Sequence, residues 1–290
     1  MPSTAAESWV RARSFHHSLY PAARIAAERE VGVSVCLPAR ECAQTVGAIV
    51  SALLELRDAG AIDEVVVVDA DSRDGTAAIA ARAGARVLQQ EELLSAHGPV
   101  LGKGDAMWRA LSALEGELIC FLDADTEGFS AHFATGLLGP LVCETDVAFV
   151  KGHYRRPIEG ATDGEGGGRV NHLMARPALD LFYPDLAGVR QPLAGEMAAR
   201  RDLLEGLPFA TGYGVEIAML IDAWRAAGLD AIAQVDLDEQ RNRHQPLSAL
   251  TPMAGTVLAT LARRLVQDGR LEPFEGGPVE RPPLRSVSLA

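Results

Sequence analysis

In the first half of the chain, short unbroken apolar runs alternate with polar turns and with stretches patterned at helical spacing. The run at 118–126 reads Leu-Ile-Cys-Phe-Leu-Asp-Ala-Asp-Thr, five apolar residues that stop abruptly at two acids. Such a run, with β-favouring Ile and Phe and no polar alternation, predicts a strand buried on both faces. Residues 65–71 repeat the design as Val-Val-Val-Val-Asp-Ala-Asp, and 31–37 form a further strand that ends at Pro38-Ala39-Arg40-Glu41. Helices lie between them. Thr45 is placed to cap one whose apolar stripe is Val46, Ile49, Val50, Leu53 and Leu54. Residues 72–76, Ser-Arg-Asp-Gly-Thr, open an Ala-rich second helix that Gly84 ends. After a short strand at Val87-Leu88, a loop with Gly98-Pro99 and Gly102-Lys103-Gly104-Asp105 leads into a third helix, with Met107, Trp108, Leu111 and Leu114 on its apolar side.

Strands and helices alternating through short links predict parallel β-α-β units, right-handed crossovers and an α/β fold with a doubly wound, mostly parallel sheet. Past Thr126 the alternation fades. Residues 147–150 predict another strand, and Gly164-Glu165-Gly166-Gly167-Gly168-Arg169 reads as a mobile loop whose backbone amides are available to an anion. Two glycine turns, at 191–196 and 212–216, each deliver a glutamate, Glu196 and Glu216. Helical spacing from Val215 stops at Gly228, a last strand covers 231–237, and a long amphipathic helix runs from Ser248 to about Val266. Residues 1–30 predict a helical lead-in, where His16-His17, as neighbours on a helix, read as a surface pair. Residues 269–290, rich in Pro, Gly and charge, predict a flexible tail.

Composition narrows the classes. At 290 residues, 48% hydrophobic and 23% charged, the chain has the make-up of a globular enzyme and not of a disordered protein. A formal charge of −12 argues against nucleic acid or an anionic membrane as a partner, so any anionic ligand must be held by a local group of cations. Cys36, Cys42, Cys120 and Cys143 lack Cys-x-x-Cys spacing, which predicts reduced thiols and a cytoplasmic setting. No apolar run reaches the roughly 18 residues of a membrane span.

Chemistry enters through the acids. Asp-x-Asp occurs three times, at 69–71, 123–125 and 236–238, and each triplet alone reads as a solvated turn. The first two differ because both tip all-apolar strands, and in open α/β sheets ligands bind at the strands' carboxyl ends. Two carboxylates there can hold a hard divalent cation and leave positions open to phosphate oxygens.

Taken together, the motifs resemble the GT-A glycosyltransferases, and more narrowly the retaining glucosyl- or mannosyl-3-phosphoglycerate synthases. The resemblance rests on Val-Asp-Ala-Asp-Ser-Arg-Asp-Gly-Thr at 68–76, Gly-Lys-Gly-Asp-Ala-Met-Trp-Arg at 102–109 and Asp-Ala-Asp at 123–125. Further along it rests on Tyr-Arg-Arg-Pro, Gly-Gly-Gly-Arg-Val, Gln-Pro-Leu-Ala-Gly-Glu and Pro-Phe-Ala-Thr-Gly-Tyr-Gly-Val-Glu-Ile, all in family order. It implies a GT-A fold in which 31–126 form a nucleotide-sugar-binding half and 127–268 the sugar- and acceptor-binding half of the same domain. On the donor side it implies contacts from Pro38, Ala39, Arg40, Glu41, Asp69, Lys103, Asp123, Ala124 and Asp125, with Leu193, Ala194, Gly195 and Glu216 at the sugar. Lys103, Asp125 and Glu216 would carry the chemistry. Gly168, Arg169, Val170, Asn171, Arg243 and His244 would hold 3-phosphoglycerate, and Asp125 with His244 would bind Mg2+ or Mn2+. A nucleotide-sugar donor such as GDP-mannose, or GDP- or UDP-glucose, is the expected partner; a homodimer stays open.

Two departures bear on this. Relatives carry Asn-Glu-Glu where this chain has Arg40-Glu41-Cys42, and the order of a metal-binding His and an acceptor-binding Asn is swapped in Asn242-Arg243-His244-Gln245-Pro246-Leu247. The alternatives are a strictly UDP-glucose-dependent synthase and a non-catalytic nucleotide-sugar-binding protein. An NAD-dependent oxidoreductase would require Gly-x-Gly-x-x-Gly after the first strand, where Pro38-Ala39-Arg40-Glu41-Cys42 has no glycine.

Overall fold

The computed structural model describes residues 4–157, 167–241 and 246–287. The chain opens with helix α1 (Thr4–Arg13), strand β1 (Ser14–His16) and helix α2 (Ala22–Glu28). The alternating unit follows as β2 (Val33–Ala39), α3 (Val46–Asp58), β3 (Glu64–Asp69), α4 (Thr76–Ala83), β4 (Arg86–Gln89), α5 (Lys103–Leu111) and β5 (Leu118–Phe121). Beyond it come α6 (His132–Cys143), β6 (Phe149–Arg155), α7 (Arg176–Phe182), β7 (Met197–Arg200), α8 (Arg201–Gly206) and β8 (Phe209–Ala210). The chain closes with α9 (Val215–Ala227), β9 (Ile232–Glu239), α10 (Leu247–Gln267) and β10 (Glu280–Arg281).

Eight strands form one sheet in the order β1-β9-β6-β7-β5-β2-β3-β4. All neighbours are parallel except β7, which runs antiparallel between β5 and β6. The apolar runs are buried on both faces because successive side chains enter opposite cores: Val33, Val35 and Leu37 pack in one with Val65, Val67, Leu118 and Cys120. Cys36, Val66, Val68, Ile119 and Phe121 pack in the other. The parallel register Ala39↔Asp69 and Cys36↔Phe121 brings the ends of β2, β3 and β5 to one edge of the sheet, and the acidic turns with them.

Several expectations change. The lead-in is not purely helical: β1 pairs in parallel with β9, and Trp9 Nε1 on α1 donates to the Ile232 carbonyl at 2.8 Å. Thr45 precedes α3 without capping it; its Oγ1 donates instead to the Ala124 carbonyl at 2.6 Å, tying that helix to the acidic turn after β5. Residues 279–287 are not a loose tail, since β10 pairs antiparallel with β8 and Leu284 is buried. Trp108 Nε1 donates to the Pro282 carbonyl, and Arg281 pairs with the buried Asp105, which also holds Arg109. These contacts fix the first turns of α5, where Lys103 sits. Among the described residues, no helix is long and apolar enough to cross a membrane.

Candidate active site

The sheet edge carrying the acids opens into a cleft lined from both halves of the chain. Asp123 and Asp125 follow β5, Lys103 begins α5, and Glu216 lies in the first turn of α9. Lys103 Nζ lies 2.6 Å from Asp123 Oδ1 and 3.0 Å from Glu216 Oε1. Burial pushes the Lys103 ammonium toward its neutral form, but the two carboxylates outweigh it and hold its pKa well above the usual lysine value. For Asp123, burial is likewise overcome by Lys103, and its pKa falls. Asp125, open at the mouth of the turn yet ringed by protein, goes the other way: lost hydration and then the charge of Asp123 raise it. Asp123, Asp125 and Glu216 thus share the cations Lys103 and Arg156, and Asp125 is the carboxylate these hold least firmly in its charged form.

Two glycines make this packing possible. A Cβ on Gly195 would stand 2.4 Å from the Asp123 carboxylate oxygens, and one on Gly104 would stand 2.0 Å from the Ala210 carbonyl. Any larger residue would push the 191–196 turn off the acids or α5 off β8.

The opposite wall carries Gly168, Arg169, Val170 and Asn171, with Leu193, Ala194 and Gly195 between. Asn171 is engaged in structure: its Nδ2 donates to the Arg190 carbonyl at 3.2 Å and its Oδ1 accepts from the Leu193 backbone at 3.4 Å, which ties the acceptor-side wall to the sugar-side turn. Pro38, Ala39, Arg40, Glu41, Asp69 and Ala124 do not line this cleft. Arg40 and Glu41 are exposed past the end of β2, and Glu41 accepts from the Arg73 backbone while its own N–H donates to Ser72 Oγ. Asp69 is 1% exposed; one carboxylate oxygen accepts from the Ser72 backbone, and the other has no hydrogen-bond partner among the described residues. A buried acceptor left unmatched costs about 1–3 kcal/mol, so that oxygen is suited to a ligand's donor. Arg243 and His244 lie outside the described residues.

Sequence reasoning passed over part of the cleft. Tyr154 and Arg156, from the end of β6, line it, with Gln191, Tyr213 and the α10 residues Leu250, Met253 and Val257. The motif Tyr-Arg-Arg-Pro after a strand was the available signal. Behind them, Glu196 is buried; its Oε2 accepts from the Tyr154 hydroxyl at 2.6 Å, and Gln240 Nε2 donates to its other oxygen. Burial, and then the charge of Asp123, pushes the Glu196 carboxyl up to about 7. Gln240 also accepts from Arg156 and donates to Thr126 Oγ1, so one amide joins β9 to the turn after β5.

Residues 34–157 match the family described as Glycosyl transferase family 2, which sets the class as a glycosyltransferase. A glucosyl-3-phosphoglycerate synthase of Mycolicibacterium smegmatis is 42% identical over 97% of this chain and 95% of its own length. The crystal structure of mannosyl-3-phosphoglycerate synthase from Rubrobacter xylanophilus superposes with a TM-score of 0.92 at 42% identity, covering 99% of this chain and 100% of that one. Glucosyl-3-phosphoglycerate synthase from Mycobacterium tuberculosis, solved with Mn2+, UDP-glucose and phosphoglyceric acid, superposes with a TM-score of 0.82 at 38% identity, covering 92% and 95%. The chain therefore belongs to the glucosyl- and mannosyl-3-phosphoglycerate synthases, hexosyltransferases of the GT-A fold.

Proposed function

We propose that this enzyme moves a hexose from a nucleotide sugar to 3-phosphoglycerate with retention at the anomeric carbon, and that its donor choice extends beyond UDP-glucose to GDP-mannose and GDP-glucose. The observation that carries the transfer is the arrangement of Lys103 between Asp123 and Glu216, with Asp125 at the mouth and the Gly168–Asn171 wall opposite. In this reading Asp69 takes a donor hydrogen from the nucleoside, Lys103 turns from its carboxylates to the diphosphate, and Glu216 orients the sugar. Arg169 offers the planar fork suited to a carboxylate or phosphate of the acceptor.

The residues fit a divalent cation. Asp125 is a hard oxygen donor exposed at the mouth of the cleft, with its charged form disfavoured beside Asp123 until a cation joins it, and the Mycobacterium tuberculosis relative was solved with Mn2+ and UDP-glucose. Asp125 would hold the ion, with His244 as the second protein ligand. When bound, the metal supplies neutralisation of the charge that builds on the departing diphosphate.

For the displacement itself we favour front-face attack, in which the donor's own phosphate oxygen takes the proton from the acceptor hydroxyl. The cleft offers Glu216 in an ion pair with Lys103 and Glu196 behind Tyr154, neither of them an unencumbered nucleophile. Trapping a covalent glycosyl-enzyme on either glutamate would contradict this.

The donor reading rests on the departure at Arg40-Glu41-Cys42, on the side where this reading places the base, and on relatives that bear both mannosyl and glucosyl names at similar identity. Epimeric hexoses differ in one hydroxyl, and a pocket that does not hydrogen-bond that group separates them weakly. Assaying purified protein with 3-phosphoglycerate against GDP-mannose, GDP-glucose and UDP-glucose tests it. Transfer from all three is expected; strict use of UDP-glucose would overturn the donor reading, and no transfer from any would overturn the function.

A further inference from the structure

The third acidic triplet lies in the last residues of β9, three strands from β5 in the sheet, and it faces imidazoles that the transfer chemistry does not use. His16 closes β1 in an extended conformation and His17 begins a 3-10 turn, so the two neighbours do not diverge as they would on a helix. Their rings lie 4.4 Å apart, and both point Nε2 at Asp238, at 3.3 Å from Oδ1 for His16 and 2.7 Å from Oδ2 for His17. The pair is at the surface, as expected, but the chain there is a strand end and not a helix, so the two rings turn to one side.

We propose that His16, His17 and Asp238 form a second metal site, taking a borderline first-row ion of the zinc or cobalt class and clamping the N-terminal strand to the end of β9. The ligand-capable atoms all lie within 4.8 Å of one another, close to the roughly 3.3 Å separation that ligands at about 2.0–2.1 Å from a tetrahedral ion adopt. The Ser18 backbone N–H donates to His16 Nδ1 at 3.2 Å, with Ser18 Oγ 2.8 Å from the same nitrogen, so the metal-free ring carries its proton on Nε2 toward Asp238, and an ion would take that proton's place between the two groups. His132 stacks on His17 at 4.1 Å and fixes its plane; burial lowers the pKa of His132, so it adds no opposing charge near neutral pH. Asp238 is held at a φ of +65° while its N–H donates to Asp236 Oδ1 at 3.0 Å, a backbone placement that aims the carboxylate at the imidazoles. Two imidazole nitrogens and one oxygen select a softer ion than the carboxylate site at Asp125, so the two sites discriminate by donor chemistry. Side-chain exposures of 45% for His16 and 53% for Asp238 leave the remaining coordination to water.

The test uses untagged, chelator-stripped full-length protein carrying Asp125→Ala, so that the transfer site loses its carboxylate ligand. Titration with Co2+, followed by the visible absorption of tetrahedral cobalt and by competition with Zn2+, is expected to show one bound equivalent and a rise in the thermal midpoint. Adding His17→Ala or His16→Gln should weaken binding by more than the roughly 10-fold that losing even a supporting partner costs. No stoichiometric uptake of Co2+, or uptake indifferent to both histidine variants, would overturn the proposal. Neither result touches the transfer reading, which is read by donor turnover in the unaltered chain.

Discussion

The acidic triplets just after β5 and within the last residues of β9 share one spelling, Asp-x-Asp, and keep different company. At β5 Asp123 meets a half-buried lysine and a buried glutamate brought from α9, in a pairing largely shielded from water. At β9 Asp238 meets two imidazoles at an exposed rim. The triplet itself therefore carries almost no information about chemistry; what approaches it across the sheet decides which charges it meets, an ammonium at β5 and imidazoles at β9. Exposure then sets how much each charge matters, since the same Coulomb pair is worth several times more where water is excluded.

The sharpest way to break the contrast is Asp125→Ala. Loss of the carboxylate proposed to hold the metal should remove several kcal/mol of transition-state stabilisation, on the order of 10³-fold in turnover. Stability should hold or rise, because the raised Asp125 pKa marks a carboxylate already at a disadvantage beside Asp123. Turnover and thermal midpoint measured together check both, and full wild-type activity in excess chelator would sink the metal role. Lys103→Ala should behave differently, costing about 10²-fold in turnover as one preorganised donor is lost. It should also lower stability, because Glu216 is left buried and Asp123 half-buried without their shared partner, a loss of about 2–3 kcal/mol, below the roughly 3–5 kcal/mol of a fully buried pair. Denaturant unfolding of the two variants side by side separates a residue that serves chemistry alone from one that also holds the fold.

Much of the donor side is legible in the order of the residues. Four consecutive valines ending in Asp69, and the apolar run ending in Asp123, can only be strands buried on both faces, and their parallel order follows from the helices between them. The rest is not, for physical reasons. β1 is three residues long, Ser-Phe-His, too short to carry a period, and it is a strand only because β9 offers it an edge. β7 reads Met-Ala-Ala-Arg, with little β preference, and takes its place because the sheet is open between β5 and β6. The tail is tied down by Arg281 reaching Asp105 from far along the chain, a pairing no local pattern encodes. Lys103 with Glu216 is the same kind of contact, and family resemblance, not spacing, pointed to both residues.

Glu196 sharpens the comparison through pH. Its carboxyl is held near 7 against an ordinary 4.5, so the folded state prefers it protonated. Its favourable contribution is complete below about pH 4.5 and is lost as pH rises through about 7, at roughly 1.4 kcal/mol for each pH unit between the two, or about 3 kcal/mol in all. Glu196→Gln keeps the shape and removes the ionisation. Thermal midpoints of wild type and variant should agree in acid, diverge between about pH 4.5 and 7, and stay apart above that in favour of the variant; parallel curves across that window would show that burial of this group does not control stability.

The smallest effect belongs to the exposed turn. In chelator-stripped protein, Asp238→Asn keeps a residue that tolerates the left-handed backbone at φ +65° and removes only the charge facing His16 and His17. With side-chain exposures of 53% for Asp238 and 45% for His16, water screens these pairs, and pairs of this kind are worth about 0–1 kcal/mol. The hydrogen bonds with His17 and His16 hold the Asp238 pKa below the ordinary carboxylate value, so what stability it adds is present above that ordinary value and fades as pH falls through the lowered one. Urea unfolding at neutral pH should place the variant within about 1 kcal/mol of wild type. A loss as large as that expected of Lys103→Ala would mean that Asp238 is bound into the fold as tightly as Asp123, and the difference between the two turns would then lie in chemistry alone, with exposure playing no part.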